Sequence, residues 1–201
     1  MIAIVDYGIG NIKSLMSLLE GDGVILTDAA EALLQADVMI LPGVGAFGYA
    51  MNALRERGLD AVVKAFAKTG KPLIGICLGM QLLYESSEEY GFHEGLGLLK
   101  GQIKSLPDDF VKPHMGWNKI TGIGSEKDYR VNFENYMYFV HSYYAVEIDE
   151  STLVATTQHG ATIPAIVKSG NLIGFQGHPE KSGAFGAALL KQAITTGEVS
   201  L

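Results

Sequence analysis

An open, mostly parallel α/β sheet flanked by helices, with antiparallel additions in the second half, is the fold class this sequence predicts. Four short apolar runs, Ile2–Val5, 24–26, Val38–Leu41 and Leu73–Ile76, have the unbroken hydrophobicity of strands covered on both faces. Amphipathic stretches at helical spacing lie between them, and strand–helix alternation implies right-handed crossovers. From about residue 98 the texture changes to strands joined by turns, with no long helix between them.

Taken in order, the first run is followed at once by Asp6 and has no basic leader, so it reads as a strand rather than a signal peptide. Ile12, Leu15, Met16, Leu18 and Leu19 then form one helical face. Met51 and Leu54, followed beyond Gly58 by Leu59, Val62, Val63 and Phe66, form another, with the glycine as punctuation. Strands are expected over 98–106, 117–123, 136–146, 152–157, 163–167 and Leu172–Phe175, and a closing helix over 184–193. No repeat or linker-like stretch interrupts this order, so one domain over 1–201 is expected.

Composition narrows the functional classes. At 201 residues and 48% hydrophobic, the chain can bury a sizeable core. Fifteen Lys and Arg stand against 22 Asp and Glu, a net charge of −7, and no run of basic residues exceeds two. A nucleic-acid or anionic-membrane surface is therefore not expected. The single cysteine, Cys77, cannot form an intramolecular disulfide. The longest uncharged run, 38–54, contains Pro42, Gly43, Gly45 and Gly48, which would break a membrane helix. A soluble, cytoplasmic chain is expected.

Ligand sites on open α/β sheets lie beyond the carboxyl ends of the parallel strands. The loops there begin at Asp6, Pro42, Cys77 and Gln176, and they share one edge if their strands are parallel. The sharpest is Gly75-Ile76-Cys77-Leu78-Gly79, a strand-to-helix turn with the spacing of a nucleophile elbow. Small neighbours let the chain turn tightly, the sulfur then sits at a helix N-terminus that favours a thiolate, and the Leu78 N–H faces a developing oxyanion. A lone cysteine after an apolar strand is also a common small core residue. Glycines on both sides at a strand–helix junction favour the nucleophile.

A thiol nucleophile needs a base, and five histidines compete. His93 and His159 read as solvated turn residues, and His114 and His141 adjoin aromatic strands where packing suffices as an explanation. His178-Pro179-Glu180 differs, because residues i and i+2 of an extended segment point the same way and a carboxylate can orient the ring. Gly8-Ile9-Gly10 imitates a dinucleotide fingerprint, but Lys13 stands where its third glycine belongs. Gly43-Val44-Gly45 lacks the Gly-Lys-Ser/Thr of a phosphate loop. It could bring a second N–H towards the cysteine or shape a substrate pocket. No metal site and no cofactor are expected.

Gly75-Ile76-Cys77-Leu78-Gly79-Met80-Gln81, Pro42-Gly43-Val44-Gly45 and His178-Pro179-Glu180 resemble the class I (triad) glutamine amidotransferases, essentially over the whole chain. Within that family the chain is most similar to the glutaminase subunits of imidazole glycerol phosphate synthase. Asp6-Tyr7-Gly8-Ile9-Gly10-Asn11, Pro113-His114-Met115-Gly116-Trp117-Asn118 and Tyr138-Phe139-Val140-His141-Ser142-Tyr143 carry the narrowing. The resemblance implies a flavodoxin-like sheet and a catalytic triad of Cys77, His178 and Glu180. It also implies oxyanion donors at Val44 and Leu78, and L-glutamine held by Gly45, Gln81, Ser142 and Tyr143, with Glu89 as an addition. Hydrolysis would run through a Cys77 thioester, with the ammonia passed to a cyclase subunit of (β/α)₈ architecture in histidine biosynthesis. Segments 114–118 and 136–138 are interface candidates, and equally a buried strand pair. Gly177 departs from the pattern, because these subunits commonly carry a larger residue there, so the packing behind His178 is expected to differ. Three rivals remain: glutaminase components of anthranilate, purine or pyridoxal phosphate synthesis, a redox-sensing flavodoxin-like protein whose Cys77 is merely reactive, and a cysteine hydrolase of other substrates. The 113–118 segment argues against the first.

Overall fold

The computed structural model describes residues 1–10, 12–21, 23–123 and 135–201. The first half runs β1 (Ile2–Val5), α1 (Ile12–Leu18), β2 (Val24–Thr27), α2 (Ala30–Gln35), β3 (Val38–Leu41), α3 (Phe47–Glu56), α4 (Leu59–Ala67), β4 (Leu73–Ile76) and α5 (Leu78–Leu82). The second half adds β5 (Ser86–Ser87), β6 (His93–Glu94), β7 (Gln102–Ser105), β8 (His114–Lys119), β9 (Thr121–Gly122), β10 (Tyr136–His141) and β11 (Tyr143–Val146). It closes with β12 (Leu153–Gln158), β13 (Thr162–Ser169), β14 (Leu172–Phe175) and α6 (Gly183–Thr196).

Among the described residues the main sheet has the order β2-β1-β3-β4-β14-β13-β12-β9. The first five strands are parallel, and β13, β12 and β9 extend the sheet antiparallel. The chain order reverses between β1 and β3, which opens a crevice at their carboxyl ends. β14 returns from the far end of the chain to pair with β4, Ile76 opposite Phe175. That pairing brings the loops after Ile76 and Phe175 to the same edge.

The two faces follow from strand alternation. On β3, Met39 and Leu41 pack into one cluster with Leu33 of α2, Phe47, Met51 and Leu54 of α3, and Leu59, Val63 and Phe66 of α4. Val38 and Ile40 face the other cluster, with Leu15 of α1 and Leu189, Leu190 and Ala193 of α6. Every residue of β1, β3, β4 and β14 is buried, so the sheet is doubly covered. Each fully buried large side chain removed from water contributes about 1.5–3 kcal/mol.

The second half differs in detail from the sequence pattern. The apolar run 136–146 is two strands in two sheets. β10 pairs with β8 in an antiparallel ribbon, and β11 joins the sheet β11-β7-β5-β6. Inward alternation through Met137, Phe139 and His141 stops at Ser142, where the chain changes sheet. The run 117–123 likewise divides at buried Ile120 into β8 and β9. α2 has no counterpart in the sequence reading: it spans six residues, buries only Leu33 and has no side-chain cap, so its periodicity is too brief to register. No helix among the described residues is long and apolar enough to cross a membrane.

Candidate active site

Cys77 sits between β4 and α5 with φ 53° and ψ −113°, a left-handed conformation that costs a non-glycine residue about 1–3 kcal/mol. Its N–H donates to the Phe175 carbonyl (2.7 Å) and its carbonyl accepts from the Gln81 N–H (3.1 Å), which pins the turn from both sides. The flanking glycines are sterically required. A Cβ at Gly75 would lie 2.7 Å from the Met80 Cα, and one at Gly79 only 1.9 Å from the Leu41 carbonyl oxygen. α5 is therefore pressed backbone-to-backbone onto the end of β3.

His178 lies at the end of β14, and its Nδ1 meets Glu180 Oε1 at 2.8 Å, with both side chains buried. The pair forms because Pro179–Lys181 is a 3₁₀ turn, not the extended segment anticipated from i, i+2 spacing. The turn's backbone is held by β10. The His178 N–H donates to the Tyr138 carbonyl (2.8 Å), while Ser182 Oγ donates to the His178 carbonyl (2.5 Å) and accepts from the Tyr138 N–H (3.0 Å). Among the described residues, His178 Nε2 is buried with no hydrogen bond of good geometry, so its link to Cys77 is one of proximity and charge. Burial by itself lowers the pKa of the ring. Attraction to the Cys77 sulfur and the Glu180 carboxylate outweighs burial and pushes it up to about 9.

Around Cys77 and His178 opens a cleft of about 400 Å³, lined also by Val44, Gly45, Leu78, Gln81, Glu89, Ser142 and Tyr143. Every predicted oxyanion and substrate position thus borders one cavity, and Glu180 sits behind the His178 ring, outside it. The Val44 loop is seated from below, where buried Tyr7 donates its hydroxyl to the Pro42 carbonyl at 2.6 Å. Gly43 passes so close that a Cβ would meet that hydroxyl at 2.8 Å and the Gly79 nitrogen at 2.9 Å. Gln81 is buried and donates from Nε2 to the Tyr143 carbonyl (2.8 Å) and to Gln176 Oε1 (3.1 Å). Glu89 accepts the Phe47 N–H (2.7 Å) at the start of α3, and burial raises its pKa against that bond and the nearby His93.

Pro113, Val140 and His141 also line the cleft, although the sequence gives the first two no site role and reads His141 as packing, and Tyr7 supports the cleft from below. Their signal was in the 113–118 and 138–143 motifs, but which residues of a strand face a cavity depends on the pairing of β8 with β10. His159 lies in the turn between β12 and β13, as expected, but is half-buried and engaged: its ring stacks on His114 at 4.3 Å and its Nε2 donates to the Val111 carbonyl at 2.7 Å. His93 packs over Gly48, whose Cβ would meet the ring at 2.5 Å. Gly177 adjoins fully buried Met137, which fills the place a side chain would take, a Cβ there lying 2.5 Å from its Cγ and Sδ. Asn11 of the first loop lies outside the described residues.

The family described as Glutamine amidotransferase class-I matches residues 4–195. The imidazole glycerol phosphate synthase subunit HisH of Oceanobacillus iheyensis is 53% identical over 196 residues, covering 96% of this chain and 97% of that one. Its counterpart in Lactiplantibacillus plantarum is 49% identical, covering 100% and 99%. Among solved structures, a glutamine amidotransferase superposes with a TM-score of 0.75 at 18% identity, covering 96% of this chain and 98% of that one. PurLQS from Thermotoga maritima superposes at 0.69 and 24% identity, covering 96% of each, and both show the same fold. With a cysteine elbow facing a carboxylate-held histidine across one cleft, and relatives of this identity over nearly its full length, the chain belongs to the class-I glutamine amidotransferases, among the HisH subunits of imidazole glycerol phosphate synthase.

Proposed function

We propose that this chain, read as a single glutamine amidotransferase domain over 1–201, hydrolyses L-glutamine to glutamate and ammonia with Cys77, His178 and Glu180 as its catalytic triad. It is the glutaminase subunit that supplies ammonia for histidine biosynthesis. The observation carrying this reading is the Cys77 elbow at φ 53° sharing one cleft with a His178 ring held by Glu180 at 2.8 Å.

The chemistry follows from the charge state. With a pKa pushed up to about 9, His178 carries a proton at neutral pH and sets a positive charge beside the Cys77 sulfur. The thiolate attacks the side-chain amide carbon of glutamine, forming a C–S bond and a tetrahedral oxyanion. Leu78 and Val44 N–H groups would stabilise that charge, a contribution of about 2.7–4 kcal/mol per donor in comparable sites. Collapse breaks the C–N bond, and the His178 proton leaves with the nitrogen as ammonia. The ring, now a base, takes a proton from water as it attacks the thioester, and a second collapse releases glutamate and restores the thiolate. Glu180 holds the ring by Nδ1 so that Nε2 faces the reaction. Gly45, Gln81, Ser142 and Tyr143, with Glu89 beside them, would receive the amino-acid end of the substrate, as they border the same cleft.

Ammonia is mostly protonated in neutral water and escapes, so its consumer must dock close by. The partner subunit of the synthase fills that role, and we read it as the (β/α)₈ cyclase. The outward face of the β8–β10 ribbon supports this reading. Met115 is 62% exposed, Trp117 57% and Tyr136 36%, with Tyr138 opposite Trp117 on the same face. An apolar, aromatic patch of this kind is characteristic of a protein interface. The Tyr138 backbone on that ribbon also holds His178, so docking there reaches the triad.

The test is ammonia release from glutamine by the isolated chain, and again with a cyclase subunit and its nucleotide ligand present, with Cys77→Ala as the blank. A jump in the complex that the variant lacks is the expected result. Absence of release from a demonstrated complex overturns the triad. Full turnover by the isolated chain favours a cysteine hydrolase that needs no partner.

A further inference from the structure

Next to the cleft, β8 and β10 face two buried histidines against each other. His114 is 3% exposed and His141 6%, and they are register partners at the ends of their strands. Their rings form one link of a continuous hydrogen-bonded chain. Asn118 Nδ2 meets His114 Nε2 at 3.1 Å, His114 Nδ1 meets His141 Nε2 at 3.0 Å, and His141 Nδ1 meets the Tyr143 carbonyl at 2.9 Å. The His114 ring is also stacked between Phe139 (4.7 Å) and His159 (4.3 Å), so it cannot tilt away.

The partners decide where the protons are. A carbonyl only accepts, so His141 Nδ1 carries the hydrogen and its Nε2 is bare. A bare Nε2 accepts from His114 Nδ1–H, which leaves His114 Nε2 bare to accept from the Asn118 amide. The orientation of that amide is set at its other end, where Oδ1 accepts the Lys119 N–H (2.8 Å) and Nδ2 also donates to the Gln158 carbonyl (2.9 Å). One arrangement of protons therefore satisfies every link, with both rings neutral. Burial and the neighbouring imidazoles hold the pKa of His114 near 4 and that of His141 near 3, so both stay neutral at physiological pH.

The chain ends on the substrate wall. The Tyr143 carbonyl that receives His141 Nδ1–H is the one that receives Gln81 Nε2–H at 2.8 Å, and His141, Ser142, Tyr143 and Gln81 all border the cleft. Ser142 is also the point at which the chain leaves β10 for another sheet, so no ladder holds it on both sides.

We propose that His114 and His141 are positioning residues for glutamine binding: their neutral imidazole pair sets the Tyr143 carbonyl, and through it Gln81, so that the wall of the cleft is formed before substrate arrives. The proposal rests on the reading that Gln81, Ser142 and Tyr143 receive glutamine. Both ring nitrogens of His141 are taken, by His114 and by the Tyr143 carbonyl, so the pair acts on affinity and not on the chemical step.

The test compares the complex carrying the native chain with complexes carrying His114→Phe and His114→Asn. Phenylalanine keeps the stack and removes the donor to His141, whereas the asparagine amide stands where Nδ1 stood and keeps it. The expected result is a rise of about ten-fold in KM for glutamine with kcat changed less than two-fold in His114→Phe, largely restored in His114→Asn. An unchanged KM, or a loss confined to kcat, overturns the proposal. If the native complex releases no ammonia, the triad reading fails first, and the two failures are thereby distinguished. Nitrogen-15 NMR of the imidazoles of the native chain tests the geometry without relying on any variant. Both His114 and His141 are expected as the Nδ1–H tautomer, and an Nε2–H signal from either overturns the chain of bonds.

Discussion

Replacing Gly177 with alanine tests the packing behind His178. A Cβ at this position would stand 2.5 Å from Cγ and Sδ of Met137 and 3.0 Å from the Tyr138 carbonyl oxygen. Ordinary carbon contacts lie at about 3.5–4.0 Å, so the overlap with Met137 is about 1 Å. The φ of Gly177 lies outside the left-handed region, so the effect is steric and owes nothing to backbone strain. Met137 is wholly buried in a cluster with Ile120, Phe139 and Phe175, so its side chain can give way only by displacing those neighbours. Overpacking of this kind costs about 1–3 kcal/mol. Met137→Ala alone leaves a cavity worth about 2–5 kcal/mol. In the double variant the new methyl occupies part of that cavity, so its cost should fall short of the sum of the single costs by at least about 1 kcal/mol. The clash also borders the carbonyl that holds the His178 N–H at 2.8 Å, so kcat for glutamine should fall several-fold in Gly177→Ala and recover in the double variant. Urea unfolding midpoints at constant m-value, together with ammonia release in the complex, measure both effects. A Gly177→Ala chain within about 0.5 kcal/mol of the native one, or strict additivity in the cycle, would refute the reasoning.

Three further predictions concern the triad and its surroundings. Glu180→Gln keeps the side-chain shape but removes the charge that supports the imidazolium, and kcat should fall by about 10²–10⁴ with KM little changed, read from steady-state ammonia release. Cys77→Gly and Cys77→Ala should both be inactive, yet the glycine variant should unfold at a urea concentration equal to or above that of the alanine variant, because only glycine adopts φ 53° without strain. The third prediction is that stability falls on both sides of neutrality for different histidines. His114 and His141 are held near 4 and 3 against 6.5, so their contribution is complete above pH 6.5 and declines as the pH falls towards 4, when the unfolded chain takes up protons that the fold refuses. His178 has the opposite sign. Raised to about 9, it stabilises fully below pH 6.5, and this is lost as the pH rises through 9. Unfolding midpoints between pH 4.5 and 9.5 should show both limbs, with the alkaline limb reduced in Cys77→Ala.

The elements that declared themselves in the sequence were those whose residues all answer to one local rule. Ile2–Val5, Val38–Leu41 and Leu73–Ile76 are buried on both faces, so each shows as an unbroken apolar run with clear ends. The elbow was legible for a related reason. Gly75 and Gly79 are demanded by backbone contacts at 2.7 and 1.9 Å, and a requirement of that severity admits only glycine at those positions. Glu180 was legible because its partner is two residues away, although the turn that joins them was not.

What the sequence by itself determined is the doubly covered parallel sheet, Cys77 on its tight turn and His178 beside the Glu180 carboxylate, because each depends on neighbours along the chain or on burial alone. What only the tertiary structure decided is every relation that spans long separations. The return of β14 to β4 brings His178 to Cys77. The change of sheet at Ser142 makes a wall of the cleft out of what reads as one strand. Tyr7 reaches under the Val44 loop, and Met137 occupies the space over Gly177. The histidines illustrate the limit most clearly. His114 and His141 read as packing one at a time, and become an ordered pair of donor and acceptor only when β8 and β10 pair in register, with His159 stacked on His114 from the turn after β12. A side chain's hydrogen-bond partner is set by geometry in space, and a run of residues records only the partners that lie close by along it.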